Sequence, residues 1–389
     1  MFQWREADAI QTSSARGVGE GRAGEGERPA GGRQRRDRHP VGHGPILGAL
    51  QRSPGLAAAA SVRPMTTAAS AAQTGRRIRP RLVYSVAGAL LLVAALFAVA
   101  DVGEKAGRLS DWQAFVLGIT QGLTELLPIS SSGHLILVPW LADWHYLEAH
   151  QSFNKTFDVA LHLGTLVAVI VYFWADVVLY LRAWFHSVAR RSITTVDEKA
   201  AWWIFAATIP AALVGAVGEE PIENHLGQPW QIAIFMAVFA ILLWLADRLP
   251  QERRIGQLGF WPAFAIGVSQ ILALMPGVSR SGITITTGRF FRLERDAAAR
   301  FAFLLLIPIV FGAVVYKGLK HVVLESLPAG SVGPFVVGTM AAAAVGLVAI
   351  DLLLGYVRRH DYTVFVVYRL AVAAGIVLVI ASGWRSAHF

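Results

Sequence analysis

"GITQGLTELLPISSSG", residues 118–133, returns without a gap as "GVSQILALMPGVSRSG", residues 267–282, at an offset of 149. Gly118/Gly267, Gln121/Gln270, Leu123/Leu272, Ser130/Ser279, Ser132/Ser281 and Gly133/Gly282 coincide. A bilayer-spanning helix needs about 20 mostly apolar residues. Segments of that kind lie near 82–100, 157–183, 199–218, 229–247, 298–317, 332–354 and 362–383. Three of them separate the copies, and an odd number of crossings turns the second copy over relative to the first. Inverted repeats with broken helices that meet near the midplane are typical of secondary transporters. Irregular backbone at that depth is tolerated only when buried in protein or lining a water-filled cavity. The expected fold is therefore an all-α polytopic membrane protein with inverted-topology repeats (about 111–247 and 260–383) and two re-entrant helical hairpins, 111–142 and 260–292. A polar site is expected where the hairpins meet.

Composition agrees. Of the 389 residues, 54% are hydrophobic and only 16% charged, and there is no cysteine. A soluble globule of this size carries more charge. Disulfides, thiolate metal sites and cysteine nucleophiles are excluded. The net charge of +9 would suggest nucleic-acid binding were it not so localised: residues 1–81 hold 14 Arg against 6 Asp/Glu, which leaves +1 for the rest. That leader of Gly, Ala, Arg and Ser has no sustained apolar period and cannot bury enough surface to fold alone. It reads either as a basic tail on anionic lipid or as translated upstream sequence ahead of a start at Met65; neither is a nucleic-acid module. The 82–100 segment is too long for a signal peptide and reads as an uncleaved anchor.

Lys/Arg bias in short loops sets orientation. Arg76, Arg77, Arg79 and Arg81 precede the first span, and further clusters follow at Arg182, Arg190 and Arg191, at Arg248, Arg253 and Arg254, and at Arg358 and Arg359. The loops "GEEPIENHLGQ" and "ESLPAGSVG" carry no Arg or Lys. All basic clusters fall on the cytoplasmic side only if 111–142 and 260–292 each return to the side they came from.

The two copies divide the chemistry. The first has Gln121 and Glu125 on one helical face, a break at Pro128, then "ISSSGH" ending at His134. The second has Leu274 in place of Glu125, Arg280 in place of Ser131 and Ile283 in place of His134. An arginine at bilayer depth costs roughly 2.5–3.5 kcal/mol on insertion scales and calls for a cavity or a partner. Its planar fork suits phosphate oxygens, and hydroxyls with helix N-termini at the turns favour an anion. A serine beside a histidine supplies a nucleophile and base, and a carboxylate orients the base or holds a metal. These groups together suit phosphoryl chemistry, which is largely positioning plus charge stabilisation. The repeat alone does not separate catalysis from transport.

"QGLTELLPISSSGH" followed by "PGVSRSGITI" resembles the two signature motifs of the bacterial undecaprenyl-diphosphate phosphatase (bacitracin-resistance) family. The resemblance covers about 111–383, including "FDVALHLGTLVAV" and "YRLAVAA". It implies hydrolysis of the lipid carrier diphosphate to the monophosphate plus inorganic phosphate, with a divalent cation (Mg2+ or Ca2+). The implied place is the outer side of the bacterial plasma membrane, where the reaction recycles the carrier for cell-wall synthesis. By motif, Glu125 is the acidic residue, Ser131 the nucleophile, His134 the base or proton shuttle, and Ser279, Arg280 and Thr284 hold phosphate. Gln121, Ser130, Ser132 and Ser281 complete the expected substrate-binding set. Gln121 stands where some members have a second Glu, which weakens a two-carboxylate metal site and leaves Glu125, with Gln121, as the candidate ligand. Expected partners are the polyprenyl diphosphate lipid, the membrane and, as a candidate assembly, a homodimer. The "SGH" and "SR" pieces are also similar to the phosphatidic-acid phosphatase class, but its Lys/Arg-Pro motif and later His are missing from "SRSGITITTGR". The rival reading is a polyprenyl-phosphate transporter using the same site without hydrolysis. His162 reads as a core or cavity-lining residue, Arg369 as snorkelling or structurally paired, and His145 and His150 as solvated.

Overall fold

A computed structural model describes residues 80–100, 108–318 and 331–388. The leader, the Met65 reading and most of "ESLPAGSVG" lie outside these residues, as does the side chain of His145. The described chain is helical throughout; its only β pairing is an isolated bridge between Arg253 and Leu293. The helices are α1 (Pro80–Ala100), α2 (Asp111–Leu126), α3 (Ser131–Ala142), α4 (His145–Ala149), α5 (Gln151–Tyr172), α6 (Trp174–Arg190) and α7 (Val196–His225). They continue with α8 (Pro229–Asp247), α9 (Phe260–Ser269), α10 (Arg280–Phe290), α11 (Arg295–Gly318), α12 (Val332–Val357) and α13 (Thr363–Ala381). A 3-10 stretch, Gln270–Leu274, prolongs α9.

Seven of these are long and apolar enough to cross a membrane: α1, α5, α7 over Val196–Gly218, α8, α11, α12 and α13. They match the seven expected spans with one correction. The 157–183 segment is not one helix, because the backbone breaks at Phe173 (φ −98, ψ 22). The crossing is Gln151–Tyr172, and α6 begins anew with Asp176, Arg182 and Arg190 along it and Ser187 its only fully buried residue.

α12 is the central packing element, and small residues make it so. Without a hydrophobic drive between helices in lipid, close backbone approach and van der Waals contact hold spans together. A Cβ on Gly118 of α2 would stand 2.4 Å from the Gly338 carbonyl oxygen, and one on Gly122 only 2.8 Å from that of Ala342. Gly164 brings α5 equally close, with a Cβ falling 2.4 Å from the Thr339 oxygen. The second copy repeats the device on another partner: a Cβ on Gly267, the mate of Gly118, would lie 2.0 Å from the Ala207 oxygen of α7. Thus α2 packs on α12 and α9 on α7, while α5 pairs with α11 and α8 with α13. The first two pairings are counterparts of each other, each setting the first helix of a repeated motif against a long span.

α1 runs antiparallel along α12. Ala94 and Ala98, near its end, cluster with Val337 and Ala341 near the start of α12. Tyr84, near its start, donates a hydrogen bond to Asp351 (2.9 Å), and Tyr172 of α5 donates to the same carboxylate (3.0 Å).

At the far end of α8, Asp247 binds three elements. It accepts from Arg289 Nε (3.2 Å), Arg295 Nε (2.7 Å) and the Tyr362 amide (2.9 Å). Both ends of the second hairpin meet here, since the Glu252 and Arg253 amides donate to the Arg292 oxygen and the Glu294 amide to that of Arg253. The end of α3 lies at the other end of α13: Asp143 pairs with Arg385, beyond the end of that helix.

The glycine contacts predict that Gly122→Ala, though the smallest change available, forces α2 off α12. The expected loss is about 1–3 kcal/mol, read as a lowered unfolding midpoint in detergent. An unchanged midpoint would show that the two backbones do not approach this closely.

Candidate active site

Each hairpin breaks at the same place. Pro128 forces the preceding residue into extended conformation, and Leu127 (φ −76, ψ 147) ends α2. α3 then restarts from Ser130, and α10 from its mate Ser279. Both serines adopt positive φ, 80° and 76°, which side-chain-bearing residues rarely do. Both cap their helix in the same way, accepting from the Gly133 amide (3.4 Å) and the Gly282 amide (3.0 Å). The repeat seen in sequence is therefore a repeat of backbone geometry.

The two tips touch. The Gly277 amide donates to Ser130 Oγ (3.1 Å), and Ser281 Oγ donates to the Leu127 oxygen (3.0 Å). The breaks free backbone carbonyls, and Arg369 of α13 answers several at once. Fully buried, it donates to the oxygens of Pro128 (3.4 Å), Gly277 (2.9 Å) and Val278 (3.0 Å), and also to those of Met236 and Phe235 on α8. The sequence marks Arg369 as snorkelling or structurally paired, and its contacts make it a clamp across both hairpins.

Within this frame Glu125, 3% exposed, gathers four side chains. Ser131 Oγ donates to its Oε2 at 2.5 Å, and Gln121 Nε2 donates to the same oxygen at 3.4 Å. Arg280, from the other hairpin, stands 3.7 Å from Oε1, and His162 Nε2 lies 3.5 Å from Oε2. His162 is held by its Nδ1, which donates to the Asp158 carbonyl at 2.7 Å. Ser131 and Arg280 occupy equivalent positions, each the first residue of its helix. The difference between the copies thus puts a hydroxyl and a cation on the same carboxylate.

A cavity of about 500 Å³ opens beside this cluster. Arg280, His162 and Ser132 reach it from the cluster side, and Trp140, Asp143, Trp144 and Gln228 line it where α3 ends and α8 begins. Its lining therefore runs toward the end of the bundle opposite Asp247 and the basic loops.

The expected site residues separate into two groups. Glu125, Ser131, Gln121 and Arg280 converge, and Ser132 faces the cavity. Ser130, Ser279, Ser281 and Thr284 are buried, and their hydroxyls serve the protein: the first two cap helices, Ser281 bonds Leu127, and Thr284 donates to the Arg280 oxygen at 2.8 Å. His134 does not hydrogen-bond Ser131 or Glu125. Its Nδ1 donates to the Ser130 oxygen (2.6 Å) and its Nε2 lies 2.8 Å from the Tyr368 hydroxyl. His162, expected from the sequence to be core or cavity-lining, lines the cavity and reaches Glu125. Tyr368 does not stand out in the sequence; its neighbour Arg369 in an otherwise apolar span could have flagged it.

The sequence pattern of the family described as bacitracin resistance protein BacA matches residues 114–375. The undecaprenyl-diphosphatase of Desulforudis audaxviator is 42% identical over 273 residues, 70% of this chain and 98% of that protein. That of Geobacter metallireducens is 45% identical over 272 residues, 69% of this chain and 97% of the relative. That of Thermomicrobium roseum is 43% identical over 279 residues, again 69% of this chain and 98% of the relative. Helix α1 precedes the matched segment.

Arg369→Met would leave the tip carbonyls without their donor. The expected outcome is a loss of about 3–5 kcal/mol, as for a broken buried charged network, with a matching fall in the unfolding midpoint. A variant as stable as the parent would mean that the tips hold each other without the clamp.

Proposed function

The chain belongs to the bacitracin resistance protein BacA family, and from that premise we propose that it is an undecaprenyl-diphosphatase. It is a multi-pass membrane protein that hydrolyses undecaprenyl diphosphate to undecaprenyl phosphate and inorganic phosphate, returning the lipid carrier to cell-wall synthesis. One observation carries the chemistry: Ser131 Oγ lies 2.5 Å from a buried carboxylate that also faces the Arg280 guanidinium of the other hairpin. The transport alternative draws no support from relatives named for hydrolysis.

In the mechanism that this geometry supports, Arg280 holds the terminal phosphoryl group with its donor fork. First-turn amides of α3 and α10 other than those of Gly133 and Gly282, which the caps take, add to the positive end. Ser131 Oγ attacks the terminal phosphorus and gives its proton to Glu125. The bond to the bridging oxygen breaks, and undecaprenyl phosphate leaves with the electron pair. Glu125 releases that proton through the cavity to the departing lipid phosphate. Water then attacks the phosphoseryl phosphorus, Glu125 taking the water proton and passing it to Ser131 Oγ as the bond to phosphorus breaks and inorganic phosphate departs. Glu125 rather than His134 is the base, because Ser131 bonds the carboxylate and His134 is engaged with Ser130 and Tyr368. His134, Ser130 and Ser279 position the turns.

A divalent cation fits the donor set. Glu125 Oε1 and Gln121 Oε1 are buried, accept no hydrogen bond, and lie one turn apart on α2. No cluster of three or more His, Asp or Glu is present among the described residues, so these two oxygens would hold the ion together with substrate phosphate and water, the usual manner for Mg2+. When bound it would supply charge neutralisation to the phosphoryl oxygens.

The hairpins are proposed to be re-entrant and inverted, with the cavity facing the outside. The support is that the second hairpin's ends pair at residues 251–254 and 292–294, among the basic loops, whereas the cavity lining reaches the opposite ends of α8 and α3.

Three tests follow. Ser131→Ala and Glu125→Gln should each lower phosphate release by at least about a thousandfold, and Arg280→Lys by about a hundredfold or more, since an ammonium lacks the bidentate fork. Wild-type rates in Arg280→Lys would make Arg280 a structural charge. Chelation should abolish turnover and added Mg2+ or Ca2+ restore it; full activity in chelator would remove the ion from the account. Single cysteines at 248–257 should resist an impermeant maleimide in intact cells while those at 219–228 react, and the reverse pattern would invert the topology.

A further inference from the structure

The cavity carries cations beyond the reacting group. Helix α5 lines it with Lys155, Asp158 and His162, one face at i, i+3 and i+7. At 1.5 Å per residue, Lys155 stands about 10 Å along the helix from His162, which touches Glu125. Helix α11 presents Val310, Val314 and then Lys317 on its own stripe, Lys317 in the last turn before Gly318. The two lysines therefore lie near helix ends that border the same cavity, which Arg280 and His162, the partners of buried Glu125, also line. Of the acids that line it, Asp143 is paired with Arg385, and Asp158 shares the lysine face and offsets part of its charge.

A lipid diphosphate can enter such a cavity in only one sense. Its tail cannot precede its headgroup, so the terminal phosphoryl reaches Ser131 first and the lipid-bearing phosphoryl stops nearer the mouth. We propose that Lys155 and Lys317 form the subsite for the phosphoryl group that stays on the lipid. This rests on the hydrolase reading above. Lysine suits that position because its ammonium is a hydrated point charge on a flexible stem, with no demand for planar geometry. A phosphoryl group esterified to a mobile tail needs that tolerance, whereas the one being transferred needs the fixed fork of Arg280. As the bridging bond breaks, negative charge builds on the departing lipid phosphate, and cations placed there act on the transition state as well as on binding.

The experiment is product inhibition in purified full-length protein. With Lys155→Gln and Lys317→Gln combined, kcat/KM for undecaprenyl diphosphate should fall by about tenfold or more, as for lost charge contacts to a phosphate. The inhibition constant of undecaprenyl phosphate should rise by a similar factor, while that of inorganic phosphate, bound at Arg280, stays within about twofold. Arginine at both positions should restore most of the affinity. Unchanged constants for the lipid monophosphate, or a rise confined to inorganic phosphate, would overturn the assignment. Absence of phosphate release from the wild type would instead sink the hydrolase reading, and binding of undecaprenyl phosphate would still report on the lysines.

Discussion

A carboxylate inside a membrane protein is tolerable only with company, and the architecture of this molecule follows from the company Glu125 keeps. Its partners come from three places: Ser131 from its own hairpin, Arg280 from the other, His162 from α5. An arginine inside a bilayer is costly alone, by roughly 2.5–3.5 kcal/mol on insertion scales, and Glu125 beside Arg280 offsets that cost. Neither charge is sensible without the other, so the two tips must meet. Once they meet, Ser131 and Arg280 share the Glu125 carboxylate with no further requirement on the fold.

Bringing two chain breaks together buries carbonyl groups that no helix satisfies. The protein answers this with a buried arginine: Arg369 reaches five backbone oxygens on three segments. A similar solution holds the far end, where fully buried Arg289 and its neighbour Arg295 share Asp247. The arginines are therefore not equivalent. Arg280 is a quarter exposed and faces the cavity, whereas Arg369 and Arg289 are sealed. The small-residue seams at Gly118, Gly122 and Gly267 provide the rigid spans against which these clamps work.

Much of this was legible in the sequence, for identifiable reasons. Span composition located seven crossings because lipid enforces length and apolarity directly. The gap-free repeat located the hairpins because equal backbone geometry needs equal serines and glycines, as the matching φ values of Ser130 and Ser279 bear out. The convergence of Glu125, Ser131 and Arg280 followed from their placement on equivalent turns. What stayed hidden depended on tertiary contact. His162 meets Glu125 across 37 residues of chain and His134 meets Tyr368 across 234, distances over which no local spacing speaks. The contacts that Ser130, Ser279, Ser281 and Thr284 make with the protein's own backbone also lay beyond local pattern. The break at Phe173 was missed because hydropathy runs through it without a turn signal.

The central claim is that Ser131 attacks phosphorus itself, with Glu125 as its base. The stereochemical course at the terminal phosphorus tests this without requiring an intermediate to accumulate. With substrate made chiral at that phosphorus by sulfur and oxygen isotopes, two successive in-line displacements through a phosphoserine give net retention, and that is the predicted result. Net inversion would mean that water attacks the diphosphate directly, leaving Ser131 a positioning group and contradicting the account.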